Sequence, residues 1–399
     1  MTLLCAPVKK MKTTTKVDLQ EIDEEGFKTI IGKAAYIDID WKTKTLPSGK
    51  VIVSYHNFEE TPDLDDILKI LQEAHPQAHF YKIATMARST LDSLRMMEFL
   101  QKHPGVIGLC MGELGTITRI CAPLFQVPIM YAPLQEEEKN APGQLLVDQL
   151  QEIYHFRALN PQTKIFGLIG DPVYRSIGHL FHNDFFRRHH RNAVYVKMVI
   201  KPEELAPFFT AIKKLPFAGL SVTAPLKEAI LPFIDVIDPK AQAIGAVNTL
   251  AFRNNKVYGY NTDGDAALDI LGNARNKTLV VLGAGGAAKA IIYTAVQRGC
   301  HVVIVNRTPE KAEELARLMG CAWSKKIPSY DILVNTTSVS MPIDAQAILS
   351  GKIVMDIAVY ETEFLKEAQR KGCFVLNGFP MFFQQALAQQ AIWQHPELA

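Results

Sequence analysis

Apolar and polar positions alternate between two regimes over residues 278–308. Leu279–Leu282 is an unbroken apolar run and reads as a strand buried on both faces. A glycine-rich turn follows, then a stretch of helical spacing, and a second apolar run, Val302–Val305, ends in Asn306-Arg307-Thr308. The front of the chain repeats this alternation. Strands are expected at Leu3–Ala6, Tyr36–Asp40, Val51–Tyr55, Phe80–Thr85, Val106–Cys110 and Ile129–Ala132. Helices are expected near 18–32, 62–74, 89–102 and 144–156. Strands alternating with helices imply parallel βαβ units. A stretch containing Arg157, Asn160, Pro161 and Gln162 reads as a linker. Another α/β unit opens at Ile165, and a helix from Met381 to Trp393 closes the chain.

Composition narrows the class without changing the picture. The chain has 399 residues, which is long for one core and predicts two or three domains. Its 48% hydrophobic and 21% charged content is that of a soluble globular protein. A net charge of +2, with no basic run, leaves no footprint for nucleic acid. No 18-residue apolar run exists for a membrane span, and the start is too short for a signal segment. The six cysteines have no metal spacing, so they read as reduced thiols in a cytoplasmic protein without a metal site.

The turn after Leu282 carries chemistry. Gly283, Gly285 and Ala288 fill the three small positions of a dinucleotide fingerprint, so Gly283, Ala284, Gly285, Gly286 and Ala287 would line a pyrophosphate at a helix N-terminus. NAD sites place a carboxylate at the end of the second strand. Here Asn306, Arg307 and Thr308 stand there, and a guanidinium pairs with a 2′-phosphate, so the cofactor reads as NADP(H). In the front block, Lys82 interrupts an apolar strand and His56 ends the preceding one. A desolvated lysine is a nucleophile toward a ketone, and a neighbouring histidine can act as general base.

VSYHNFEETPD, YKIATMA, MGELGTITR and NAPGQ, in this order, resemble the later strands of type I 3-dehydroquinate dehydratase, a (β/α)8 enzyme. The resemblance implies that Lys82 forms a Schiff base, that His56 moves the proton, and that Arg119 and Gln144 hold the substrate. By the same resemblance Asp40 orients His56. Three departures stand out: six strands rather than eight, roughly 156 residues rather than ~250, and Asn140 where the family has Ser. The first two βα units have no counterpart. Either an N-terminal segment is missing or the domain is degenerate, and the survival of Lys82, His56 and Arg119 favours a missing segment.

FGLIGDPVYRSIGH, GLSVTAPLKE, IGAVNTL, GYNTDGDA, the glycine-rich unit and GFPMFFQQA together resemble shikimate dehydrogenase. That resemblance implies Lys227 as proton donor and Asp263 as its anchor. It implies Ser176, Thr223, Asn248, Tyr360 and Gln385 as ligands of a polyhydroxylated acid, and adds Gly378 to the cofactor site. The family's second serine is replaced by Gly178, which removes a hydroxyl and opens room for a bulkier acid such as quinate.

The expected fold class is thus α/β: an incomplete (β/α)8 barrel followed by a two-domain dehydrogenase with a Rossmann NADP-binding domain. The boundaries expected are 1–160 for the barrel, 161–268 for the substrate domain joined by a C-terminal helix at 377–399, and 269–376 for the NADP domain. The function implied is reduction of 3-dehydroshikimate to shikimate, with dehydration of 3-dehydroquinate where the barrel is complete. Two alternatives are a quinate/shikimate dehydrogenase with a non-catalytic front remnant and a metabolite-sensing regulator. The partners expected are small molecules, with no nucleic acid and no membrane. The oligomeric state is not legible, and a monomer is compatible with the pattern.

Overall fold

A computed structural model describes residues 2–5 and 36–394, the first four as backbone only. The helix expected near 18–32 lies outside the described residues. The chain divides into two compact units, Met1–Phe217 and Ala218–Ala399. The boundary runs through the segment 161–268.

The first unit opens with β1 (Thr2–Cys5), β2 (Ile37–Asp40), β3 (Val51–Asn57), β4 (Phe80–Met86), β5 (Ile107–Met111) and β6 (Ile129–Ala132). Strands β2-β3-β4-β5 form a parallel four-stranded sheet, and β1 pairs in parallel with β6. Pairing continuous enough to close a barrel is not seen among the described residues. Helix α1 (Leu64–Ala74) starts where the Asp63 carboxylate accepts from the Asp65 and Asp66 amides, and it buries Leu64, Ile67, Leu68 and Leu71. Helix α2 (Thr90–Lys102) starts with a Ser89/Asp92 capping box. A short helix, α3 (Thr116–Ile120), follows β5.

The helix expected over 144–156 shrinks to one π-type turn, Gln149–Ile153. The backbone turns helical only at Val147, whose otherwise unused amide donates to the Pro133 carbonyl at 3.0 Å, and His155, left-handed at φ 50°, ends the run. The unit closes with β7 (Lys164–Gly170) and β8 (Ala193–Val199), a parallel pair, and with α4 (Gly178–Arg188) and α5 (Leu205–Ile212).

In the second unit β9 (Phe217–Val222), β10 (Val236–Ile237), β11 (Thr249–Arg253) and β12 (Lys256–Tyr260) lie in the order β10-β12-β11-β9. Their connecting helices are α6 (Leu226–Ala229) and α7 (Pro239–Ile244), and α8 (Asp263–Leu271) follows β12. A second sheet contains β13 (Thr278–Leu282), β14 (His301–Val305), β15 (Ala322–Trp323), β16 (Ile332–Asn335), β17 (Ile353–Asp356) and β18 (Phe374–Leu376). It is parallel throughout, in the order β15-β14-β13-β16-β17-β18. This is the doubly wound order, with its switch point between β13 and β16. Helices α9 (Gly286–Gln297), α10 (Pro309–Met319) and α11 (Glu363–Arg370) connect its strands.

The last helix, α12 (Phe379–Gln394), turns one side to the β9–β11 sheet. Gln389 accepts from Ser221 Oγ at 2.8 Å and donates to the Asn248 carbonyl at 3.1 Å, and Trp393 Nε1 donates to the Leu250 carbonyl at 2.9 Å. Gly219 is needed beneath it, since a Cβ there would stand 2.4 Å from Trp393 Nε1. No described helix is long and apolar enough to cross a membrane.

Candidate active sites

Strand alternation and register build the first site. Ser54 is level with Lys82, His56 with Ala84, and Asp40 with Ser54, so Asp38, Asp40, Ser54, His56 and Lys82 share one face of the sheet. The Lys82 ammonium, its side chain only 12% exposed, reaches Asp38 at 2.7 Å and lies 4.6 Å from the Tyr131 ring. Asp38 also accepts from Ser54 Oγ and from the Tyr131 hydroxyl at 3.3 Å. Burial, and then the charge of Asp38, raise the Tyr131 hydroxyl above its ordinary range. The Asp40 carboxylate instead accepts from the Lys42 amide at 2.9 Å. Asp38, which sequence reasoning missed, is the acidic partner of the lysine. His56, one row further along the strand, is exposed and stacks on Phe58 at 6.1 Å.

The loops after β5 and β6 are zipped together. The Gly112 amide donates to the Pro142 carbonyl at 3.0 Å, and a Cβ on Gly143, whose φ is 75°, would stand 2.0 Å from the Gly112 carbonyl oxygen. Gln144 is spent within its own loop. Its Oε1 accepts from the Asn140 amide at 2.9 Å and its Nε2 donates to Asn140 Oδ1 at 3.1 Å. A cavity of about 550 Å³ opens beside this loop, lined by Glu113, Thr116 and Lys139 among others. Arg119 in α3 is 3% exposed, and its Nε has no hydrogen-bond partner among the described residues. Burial pushes its guanidinium down to about 10. A buried cation with an unpartnered N–H among the described residues is costly, and the arrangement invites an anion.

In the second unit, the Lys227 ammonium in α6 meets Asp263 Oδ2 at 2.6 Å, the two side chains 16% and 6% exposed. Asn248 fixes the carboxylate. Its Nδ2 donates to Asp263 Oδ1 at 2.8 Å and to Thr262 Oγ1 at 2.9 Å, and its Oδ1 accepts from the Thr262 amide and Thr249 Oγ1. These bonds use the whole capacity of the amide. Thr223 follows β9, and its carbonyl accepts from the Leu226 amide as α6 begins. Gln385 donates to the Phe382 carbonyl at 3.0 Å, while its own carbonyl takes Thr262 Oγ1 at 3.2 Å. Tyr360 is 42% exposed on the loop after β17. An ammonium held this way can deliver a proton or stabilise a developing oxyanion.

The glycine turn lies against this lysine. Gly283 has φ 114°, and its amide donates to the Val305 carbonyl at 2.9 Å. A Cβ on Gly286 would stand 2.8 Å from the Lys227 Cβ, and Lys289 pairs with Glu228 at 2.7 Å, so α9 and α6 are fastened side by side. The space where a Gly285 Cβ would point is open, and Ala284 and Ala287 are half-buried. Asn306 Nδ2 donates to the Thr308 carbonyl at 2.9 Å, and Arg307 is exposed between them. The turn therefore offers room and helix-terminal amides for phosphates, with a guanidinium at the end of β14 for a further one. Gly378 is buried, and its amide is committed to the Ala358 carbonyl at 2.7 Å.

Ser176 and Gly178 lie in the first unit at the start of α4. Ser176 Oγ accepts from the Gly178 amide at 3.1 Å. A Cβ on Gly178 would already stand 3.3 Å from Ser176 Oγ and 3.4 Å from Tyr195 Oη, so the missing side chain leaves less room than the sequence suggests. Burial, and then the Lys197 ammonium, push the neighbouring His179 down to about 4 and keep it neutral.

Three family profiles match the chain in order. They are type I 3-dehydroquinase over residues 9–161, shikimate dehydrogenase substrate binding domain over 168–250, and shikimate/quinate 5-dehydrogenase over 265–359. The chain is 37% identical over 366 residues to a shikimate biosynthesis protein AroDE from Chlamydia pneumoniae, covering 88% of this chain and 74% of that protein. It is 37% identical over 387 residues to a chloroplastic bifunctional 3-dehydroquinate dehydratase/shikimate dehydrogenase from Arabidopsis thaliana, covering 86% of this chain and 63% of that one. A crystal structure of shikimate 5-dehydrogenase from Thermus thermophilus, in complex with NADP(H) and shikimate, superimposes with a TM-score of 0.54 at 31% identity, covering 58% of this chain and 93% of the other. The chain belongs to the family in which a type I 3-dehydroquinase is fused to a shikimate dehydrogenase.

Proposed function

We propose that this protein is a shikimate-pathway enzyme that reduces 3-dehydroshikimate to shikimate with NADPH, and that its front part dehydrates 3-dehydroquinate through a Schiff base. The observation that carries the first activity is the Lys227–Asp263 ion pair, fixed by Asn248 and abutted by the dinucleotide turn. NADPH, when bound, supplies the hydride. Lys227 gives a proton to the ketone oxygen as negative charge develops there, and Asp263 keeps the ammonium aimed. Ser176, Thr223, Tyr360 and Gln385 are assigned to the hydroxyl and carboxylate groups of the acid, Gly178 goes with Ser176, and Asn248 serves the site by fixing Asp263 and Thr262. Gly283, Ala284, Gly285, Gly286 and Ala287 would cradle the pyrophosphate, Asn306, Arg307 and Thr308 the 2′-phosphate, and Gly378 would act through the loop it braces. NADPH appearance with shikimate and NADP+ is the test, and no turnover by the purified chain would overturn the assignment.

For the dehydration, Lys82 passes a proton to Asp38, its freed amine attacks the ketone, and water leaves to give an iminium. His56 removes the adjacent proton, the β-hydroxyl departs as water, and hydrolysis releases the enone. Asp38 positions the lysine, and Arg119, with Gln144 shaping the loop beside it, supplies the charge for the substrate carboxylate. The three segments 1–160, 161–268 with 377–399, and 269–376 are proposed as the working domains. A binding-only regulator is not favoured, because the ion pair is intact and the relatives are biosynthetic enzymes. The buried free thiols of Cys110, Cys121 and Cys300 suit a reducing compartment, and we place the enzyme in the cytoplasm, its partners being these small molecules.

Two variants probe the assignments separately. Arg307→Gln should lower kcat/KM for NADP+ by about ten- to a hundredfold, the value of a charge-assisted pair, and leave NAD+ nearly unchanged. An equal loss with both cofactors would remove Arg307 from the 2′-phosphate. Gly143→Ala should cost the front unit about 1–3 kcal/mol through the clash with Gly112 and lower dehydratase activity while sparing the dehydrogenase. Thermal melting with both assays on one preparation checks this.

A further inference from the structure

At the end of β17, Asp356 is fully buried, and its carboxylate receives three hydrogen bonds, one from the end of β16 and two from the loop that follows β17. Oδ1 accepts from the Ala358 amide at 2.9 Å. Oδ2 accepts from Asn335 Nδ2 at 2.9 Å and from Thr362 Oγ1 at 2.9 Å. Ala358 and Thr362 bracket a short loop whose apex is Tyr360, so one carboxylate clasps both feet of the loop. Thr362 is in turn the N-cap of α11, accepting from the Leu365 amide.

The Asn335 connection reaches the cofactor side. Asn335 ends β16 level with Asp356, is fully buried, and accepts from the amide and hydroxyl of Thr337 at 3.0 and 2.8 Å. The same segment packs on the dinucleotide turn, where a Cβ on Gly283 would stand 2.6 Å from Thr336 Oγ1. Behind the loop, the Ala358 carbonyl receives the Gly378 amide at 2.7 Å, and a Cβ on Gly378 would stand 2.0 Å from the Ile357 carbonyl oxygen. The loop is therefore held from below by Asp356 and from behind by the start of α12, while Tyr360 extends outward.

We infer that Asp356 is a positioning residue of the dehydrogenase site, setting the Tyr360 loop against the segment that braces the dinucleotide turn. This deepens the reading above and rests on Tyr360 touching the substrate. Burial raises the Asp356 carboxyl from its ordinary value while the three donors act the other way. All three partners are donors. An asparagine here would turn an N–H₂ toward them, and Thr362→Val would release one foot of the loop and leave the other two bonds.

The test is a double-mutant cycle on kcat/KM for shikimate, using Tyr360→Phe with Thr362→Val and, separately, with Asp356→Asn, in the full chain below its melting temperature. The expected result is a KM for shikimate raised about tenfold by Thr362→Val, a smaller change in kcat, and NADPH affinity by fluorescence titration within about threefold. Each double variant should be little worse than Tyr360→Phe alone, because a misplaced tyrosine and a truncated one lose the same contact. Additive losses, or an unchanged KM in Thr362→Val, would overturn the inference while shikimate turnover by the wild type keeps the underlying reading intact. If wild type turns over but Tyr360→Phe does not move KM, the Tyr360 premise falls and this inference with it. A wild type without turnover defeats both. If Asp356→Asn fails to fold, Thr362→Val alone decides.

Discussion

Replacing Lys227 with methionine should lower kcat for shikimate oxidation by about three orders of magnitude, within the range for loss of a positioned proton-transfer group. Methionine keeps the volume of the lysine stem, so the contact with Gly286 persists and NADP+ affinity should change little. Stability should fall as well. The Asp263 carboxylate, 6% exposed, would keep the Asn248 amide and lose its counter-ion, and breaking such a buried pair costs about 3–5 kcal/mol. The double variant Lys227→Met/Asp263→Asn removes the stranded charge. It should regain much of the melting temperature and none of the activity, which separates chemistry from folding. A single variant that melts like wild type and keeps kcat within tenfold would remove Lys227 from both roles.

The second large effect concerns Lys82. Borohydride added during turnover with 3-dehydroquinate should leave a stable mass adduct on Lys82, because reduction traps the imine as a secondary amine. Lys82→Ala should show no adduct and dehydratase activity at background, with shikimate oxidation unaffected. Asp38→Asn makes the finer point. It keeps the nucleophile but loosens the carboxylate that holds it at 2.7 Å, and a small misplacement of a reacting group can cost about 10²-fold. Wild-type rates in Asp38→Asn, or an adduct that survives Lys82→Ala, would reassign the site.

Much of this is legible in the sequence. The six front strands and the β13–α9–β14 unit follow from the switch between apolar runs and helical spacing, because buried parallel strands carry no other signature. The Lys227–Asp263 pair was legible from residue types held in a recognisable motif order. What escaped was the choice between equivalents. Asp38 and Asp40 are two apart on one strand, so alternation puts both on the site face and cannot say which reaches Lys82. The roles of Asn248 and Gln144 depend on where each amide spends its bonds, which is a property of the surrounding backbone. The helix expected at 144–156 is shorter than its pattern, because the backbone turns helical only at Val147 and His155 breaks it at φ 50°. Nothing in the sequence around Asp356 announces three converging donors.

The contact between Gly286 and the stem of Lys227 divides the cofactor site into a part that evolution can edit and a part that it cannot. Any side chain at 286 must push the lysine aside, so on the role proposed for Lys227 drift there would be penalised through proton delivery whatever its effect on the dinucleotide. Arg307 stands at the far end of β14, exposed and outside that constraint. On the role proposed for Arg307, preference for a phosphorylated or unphosphorylated dinucleotide would change in one step at residue 307, and a redesign that begins there would leave the Lys227–Asp263 pair in place.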